Sequence, residues 1–160
     1  MRFSTHEHDV EIDERVFAAL CHLLAGPEAR VPELEVSDEM SEDKHTFLIA
    51  EFMREEHRIR LFRPGFEFWF VRFPDSAEAA GSVMAHELAH FIFLTYPDGS
   101  FVCRLHNGAQ RLAERLEYIV PAWILKFIIS FREYAANRKA AEFLRRHPEK
   151  FKRLVTVTEK

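Results

Sequence analysis

Cysteine is almost missing from this chain of 160 residues: Cys21 and Cys103 stand alone, without C-x-x-C spacing. That excludes a disulfide framework and a cysteine-built zinc site, and leaves both to read as reduced, buried small side chains. Basic blocks are missing too. The net charge is −4, the longest basic runs are short ones such as Arg145-Arg146, and no helix-turn-helix pattern is visible, so direct nucleic-acid binding is not expected. A membrane span is not expected either, because the most apolar late stretch, residues 118–131, is broken by Pro121 and Lys126 and falls short of the ~20 residues a bilayer requires. Residues 1–9 are polar and acidic, without the apolar centre of a secretory signal, which makes the cytoplasm the expected compartment. Internal repeats and low-complexity tracts are absent as well.

What remains is a chain with 48% apolar residues, enough for one ordinary core. A single domain over residues 1–160 is expected, with an N-terminal helix and acidic loop in 1–45, a sheet in 46–75 and a helical region in 76–147. The expected class is α+β.

His86-Glu87-Leu88-Ala89-His90 is an H-E-x-x-H motif, and it sits where the sequence supports a helix. Ser76 to Ala80 can open one, and Val83, Met84, Leu88, Ala89, Phe91, Ile92 and Leu94 make its later turns apolar. Histidines four apart on a helix share a face, so His86 and His90 can reach one Zn²⁺. Glu87, beside the first of them, is placed to act as the base on a zinc-bound water. Two histidines and a glutamate on a buried helix each need a partner, and a shared metal provides one.

Around this motif, residues 11–25 read as an amphipathic helix ending at Gly26-Pro27, preceded by a loose terminus where His6 and His8 could meet a metal adventitiously. Residues 26–43 read as an acidic loop with at most a short helical or strand segment. Residues 46–73 give three apolar runs, 46–52, 58–63 and 66–73, with Pro64-Gly65 as a turn, which predicts a small, mostly antiparallel sheet of about three strands packed on the zinc helix. The aromatic face of the third run suggests core, and an exposed edge could accept a peptide by strand addition. Pro97 to Ser100 is a turn, residues 101–105 a short strand, His106-Asn107-Gly108 another turn, and residues 109–119 a helix. A last long helix runs from Pro121 toward Arg146.

A catalytic zinc usually takes three protein ligands and keeps a position for water. Phe93 and Tyr96 occupy the positions of the Gly and third His in the extended metzincin motif, so the third ligand lies elsewhere. The candidates are His106, Glu114, Glu117 and Glu133. Glu133 shares a helical stripe with Ala136, Asn137 and Ala140, small residues that permit close approach to the zinc helix, whereas Glu114 and Glu117 keep company with Arg111 and Arg115 as a solvated face does. Asn137, one turn after Glu133, is the right kind of acceptor for the second ring nitrogen of a zinc histidine.

Ala85 to His90, with Glu133-Tyr134-Ala135-Ala136-Asn137 and the residues to Leu144, resembles the ImmA/IrrE-type zinc metallopeptidases, whose patterns are A-H-E-[LI]-G-H and E-x-x-A-[ND]-x-F-A-A-E-L-L. Ala89 and Lys139 stand where that family has Gly and Phe. The resemblance implies a compact gluzincin with His86, His90 and Glu133 on zinc, Glu87 as catalytic base, Asn137 behind the ligands, and a protein or peptide substrate, possible targets including a repressor. From the residues the expected function is a zinc endopeptidase, with an oxyanion donor among His106, Tyr118 and Tyr134. The rival reading is a catalytically silent zinc-binding accessory protein of a virus or mobile element. An intact Glu87 argues against it.

Overall fold

The computed structural model describes residues 1–39, 48–73 and 75–160. In chain order its elements are β1 (Arg2–Ser4), β2 (His8–Ile12), α1 (Glu14–Ala25), β3 (Glu33–Ser37), β4 (Ala50–Met53), β5 (Arg58–Phe62), α2 (Arg63–Arg72), α3 (Ser76–Thr95), α4 (Phe101–Leu116), α5 (Ala122–Arg146), α6 (Pro148–Leu154) and β6 (Val155–Glu159). The class is α+β.

Helix α3 is the centre. It is buried around nearly its whole circumference, with Met84, Leu88 and Phe91 fully inaccessible, and its start is set by the Asp75 carboxylate accepting from Glu78 N–H at 2.9 Å. Ala136 and Ala140 belong to the same core, and these small side chains let α5 lie close against α3. Helix α4 folds back along α5, so the far end of α3 is covered as well. No helix among the described residues is long and apolar enough to cross a membrane. Cys21 and Cys103 are free and buried, and burial pushes the Cys21 thiol up to about 12.

The strands form two small sheets. Strands β1, β2 and β6 pair antiparallel, with His8 opposite Glu159 and Ile12 opposite Val155, so the first and last strands of the chain share one sheet. The expected loose terminus is therefore a paired strand, in which His8 packs on Phe70 at 5.0 Å between ring centroids. The second sheet has the order β3-β5-β4, with β3 parallel and β4 antiparallel to β5, and is thus mixed. The expected strand segment at residues 46–47 lies outside the described residues.

Three expectations change. The run 66–73 is helix α2 rather than a third strand. Phe66 and Phe70 stack at 5.6 Å and Trp69 and Phe73 at 4.3 Å, both pairs four apart, a spacing that fits one face of a strand and one turn of a helix equally well. Pro64 occupies the first helical turn, where its missing N–H is harmless, and a Cβ on Gly65 would collide with the Leu48 carbonyl. That glycine marks a close backbone crossing and not a turn. Residues 101–116 form one helix, capped by Ser100 Oγ accepting from Cys103 N–H at 3.1 Å, where a strand, a turn and a later helix had been expected. Its buried face of Cys103, His106 and Ala109 packs inward, and that packing overrides the turn preference of Asn107-Gly108. Helix α6 and strand β6 had no counterpart in the sequence reading.

Candidate metal centre

His86 and His90 project from the buried middle of α3, and Glu133 faces them from α5. His86 Nε2 lies 2.9 Å from His90 Nε2 and 3.1 Å from Glu133 Oε2, and His90 Nε2 lies 3.5 Å from the same oxygen. Among the described residues, these three form the one group of histidine, cysteine or carboxylate side chains with convergent metal-binding atoms.

Hydrogen bonds behind the histidines fix which nitrogen faces inward. The Phe93 carbonyl can only accept, so Asn107 donates to it through Nδ2 at 2.8 Å and turns Oδ1 toward His106. His106 Nδ1–H donates to that oxygen at 2.8 Å, which leaves His106 Nε2 as an acceptor. His90 Nδ1–H then donates to His106 Nε2 at 2.8 Å, and His90 Nε2 keeps its lone pair. On the other side His86 Nδ1–H donates to Asn137 Oδ1 at 2.9 Å, so His86 Nε2 is also a lone pair. Two imidazole lone pairs and a carboxylate oxygen thus face one another without a proton of their own to share. Such a donor set fits a divalent metal, with the ring orientations already held.

Glu133 is oriented in the same manner. Arg132 Nε donates to its Oε1 at 2.8 Å and the guanidinium also reaches Gln110 Oε1 at 2.9 Å, leaving Oε2 for the histidines. Burial raises the Glu133 carboxyl, but the His86 and His90 rings, which donate from Nε2 only once protonated, and the Arg132 charge outweigh it and hold the group far below the usual carboxylate range. Burial likewise lowers His86, yet the Glu133 oxygen that accepts from Nε2 once the ring is protonated, together with the charges of Glu87 and Glu133, raises it on balance. His106, fully buried, is pushed down to about 4, chiefly by burial, and stays neutral. Glu87 is 5% exposed and its carboxyl is raised by burial, against the pull of the two histidines and a backbone hydrogen bond at Phe52.

The structure therefore brings together His86, His90 and Glu133, with Glu87 alongside and Asn137 behind His86. Glu114 and Glu117 are exposed, and Glu114 accepts from Gln110 at 2.8 Å instead of joining the cluster. His106 is not in the turn where the sequence put it and does not join the metal-facing set. It supports His90 from behind. Of the expected oxyanion donors, Tyr118 and Tyr134 are 92% and 55% exposed and His106 is buried behind His90, so none is confirmed in that role by its position. Sequence reasoning missed the supporting roles of His106, Asn107 and Arg132. The spacing Cys103, His106, Ala109 at i, i+3, i+6 was the available signal for a helical, inward-facing His106.

No protein-family model, curated protein or solved structure matched the chain.

Proposed function

We propose that this chain is a zinc-dependent endopeptidase. The observation that carries the reading is the convergence of two imidazole lone pairs and one carboxylate oxygen, each oriented from behind, with the buried Glu87 carboxyl beside them. A structural zinc site is usually closed by four protein ligands, whereas three with an adjacent carboxyl match a hydrolytic site. His86, His90 and Glu133 would hold the ion, whose chemistry is to acidify water and polarise a carbonyl.

Glu87 takes a proton from the water that attacks the peptide carbonyl carbon and returns it to the nitrogen as the carbon–nitrogen bond breaks. Its raised affinity for a proton, caused by burial, suits that exchange. The substrate strand has a place beside it: β4 has one strand neighbour, β5, among the described residues, and residues of β4 line the cleft that contains Glu87. An extended peptide can add to such an edge. The two unpaired thiols suit a reducing cytoplasmic setting.

The test is Glu87→Gln in zinc-loaded protein. The amide keeps the side-chain shape and cannot take the proton, so peptide hydrolysis falls by about 10²- to 10⁴-fold while zinc content and melting temperature stay at parental values. Equal turnover by parent and variant would reject Glu87 as the base.

A further inference from the structure

Helix α5 joins the main core only in its second half, where Ala136, Ala140 and Phe143 are buried, while ahead of Ala135 only Ile128 is buried. The outer side of the first half is aromatic. Trp123, Phe127, Phe131 and Tyr134 follow one another at intervals of four, four and three, which places them in one stripe. Phe127 and Phe131 pack edge to face at 5.1 Å between ring centroids. The turn that leads into the helix adds Tyr118 and Ile119. All six are exposed, from 41% for Phe131 to 92% for Tyr118. At about 150–250 Å² for a large side chain the stripe offers roughly 700–800 Å² of mostly apolar surface, where the largest patch on a typical monomer is about 300–600 Å².

We propose that this stripe is the interface of a two-fold dimer, in which the α4–α5 hairpins of two copies of the chain pack as a four-helix bundle. The area fits, because a standard interface takes about 800 Å² from each partner. The composition fits as well: the stripe is aromatic, and residues 118–131 carry a single charge, Lys126, as the charge-depleted centre of an interface does. Arg115, Glu117 and Lys126, at the same end of the hairpin, are exposed and in no ion pair among the described residues. A two-fold mate sets this surface against its own copy and so offers both signs a partner. A hairpin of two helices has no second layer against which to bury an apolar face, and a second hairpin supplies it. A bilayer surface fits less well, since an interfacial helix carries a face rich in lysine and arginine, whereas here the net charge is −4 and Glu114 and Glu117 accompany Arg111 and Arg115. Ile129, Arg132 and Glu133, which line the metal cleft, lie on a different face of α5 from the stripe, so each paired copy keeps its cleft.

Sedimentation equilibrium on the full chain is the experiment. Interfaces of this size bind with micromolar affinity or better, so at about 50 µM the protein sediments at twice the 18.9 kDa of one chain. Trp123→Asp combined with Phe127→Asp weakens self-association by at least about 100-fold, with helix content by circular dichroism and metal content unchanged. Trp123→Ser alone, a milder change at an exposed site, weakens it by about tenfold or more. Val71→Asp, at an exposed apolar residue of α2, leaves it unchanged. A single-chain mass at that concentration, a dimer as tight in Trp123→Ser as in the parent, or equal weakening by Val71→Asp would each overturn the interface. Flotation of the single chain with vesicles of phosphatidylcholine and phosphatidylserine, lost in the double variant, would assign the stripe to a membrane surface and overturn the dimer as well.

Discussion

His86 and His90 sit one turn apart on the same helix, yet they are held in opposite ways. His86 is partly accessible and leans on an amide, Asn137, contributed by α5. His90 is buried and leans on a second imidazole, His106, which is itself fixed through Asn107 to the carbonyl of Phe93. The first arm can be lost without opening the core. The second is part of the core. One ring is thus held by the packing of the core and the other by a partly accessible contact with a neighbouring helix.

The largest effect is expected at the buried arm. His106→Ala removes a fully buried ring and leaves His90 Nδ1–H unpaired, which destabilises the metal-free protein by on the order of 3 kcal/mol and weakens zinc binding by about 10- to 100-fold. His106→Gln, which can restore an acceptor, recovers part of the zinc affinity. Thermal melting and competition with a chelator measure the two quantities, and an Ala variant with parental values in both would dissolve the distinction between the arms.

A narrower effect is expected at the partly accessible arm. Asn137→Ala weakens zinc by a similar factor of about 10 to 100, because the His86 ring loses its orienting acceptor, while Asn137→Asp keeps the affinity. The melting temperature of the metal-free Ala variant stays near the parent's. Destabilisation as large as that of His106→Ala would show both arms to be structural.

The most gradual effect is in acid, spread over more than two pH units, and the two arms differ in sign there. His86 has its folded-state affinity for protons raised, so in the metal-free protein its contribution is complete below the ordinary histidine range and is lost as pH rises through the raised value. His106 is depressed from 6.5 to about 4, so its stabilising contribution is present above 6.5 and is lost as pH falls from there toward 4. That interval corresponds to roughly 3 kcal/mol at most. Between pH 6.5 and 4 the metal-free parent should therefore lose more stability than His106→Gln does, as read by denaturant melts across that range. Parallel profiles would remove His106 as the source.

Helix α3, its two histidines and the Glu133-Asn137 stripe were legible because helical periodicity places residues three and four apart on one face, whatever they pack against. The support of His90 was not, since it depends on which way α4 turns, and Asn107-Gly108 reads locally as a turn until the packing of Cys103 and Ala109 is known. Helix α2 was hidden for another reason: Phe66 and Phe70, like Trp69 and Phe73, are spaced so that each pair shares a face in a strand and in a helix alike, and only the ring contacts seen in the fold separate the two. The sheet formed by β1, β2 and β6 depends on pairing His8 with Glu159, a contact between residues so far apart that local pattern carries no sign of it.

The most direct test is the metal itself. Purified protein, dialysed against metal-free buffer after zinc loading and assayed by mass spectrometry for elements, is expected to hold one zinc per chain, and the double variant His86→Ala, His90→Ala is expected to hold almost none. Full occupancy in the double variant, or a parent that retains no zinc, would contradict a centre built from His86, His90 and Glu133.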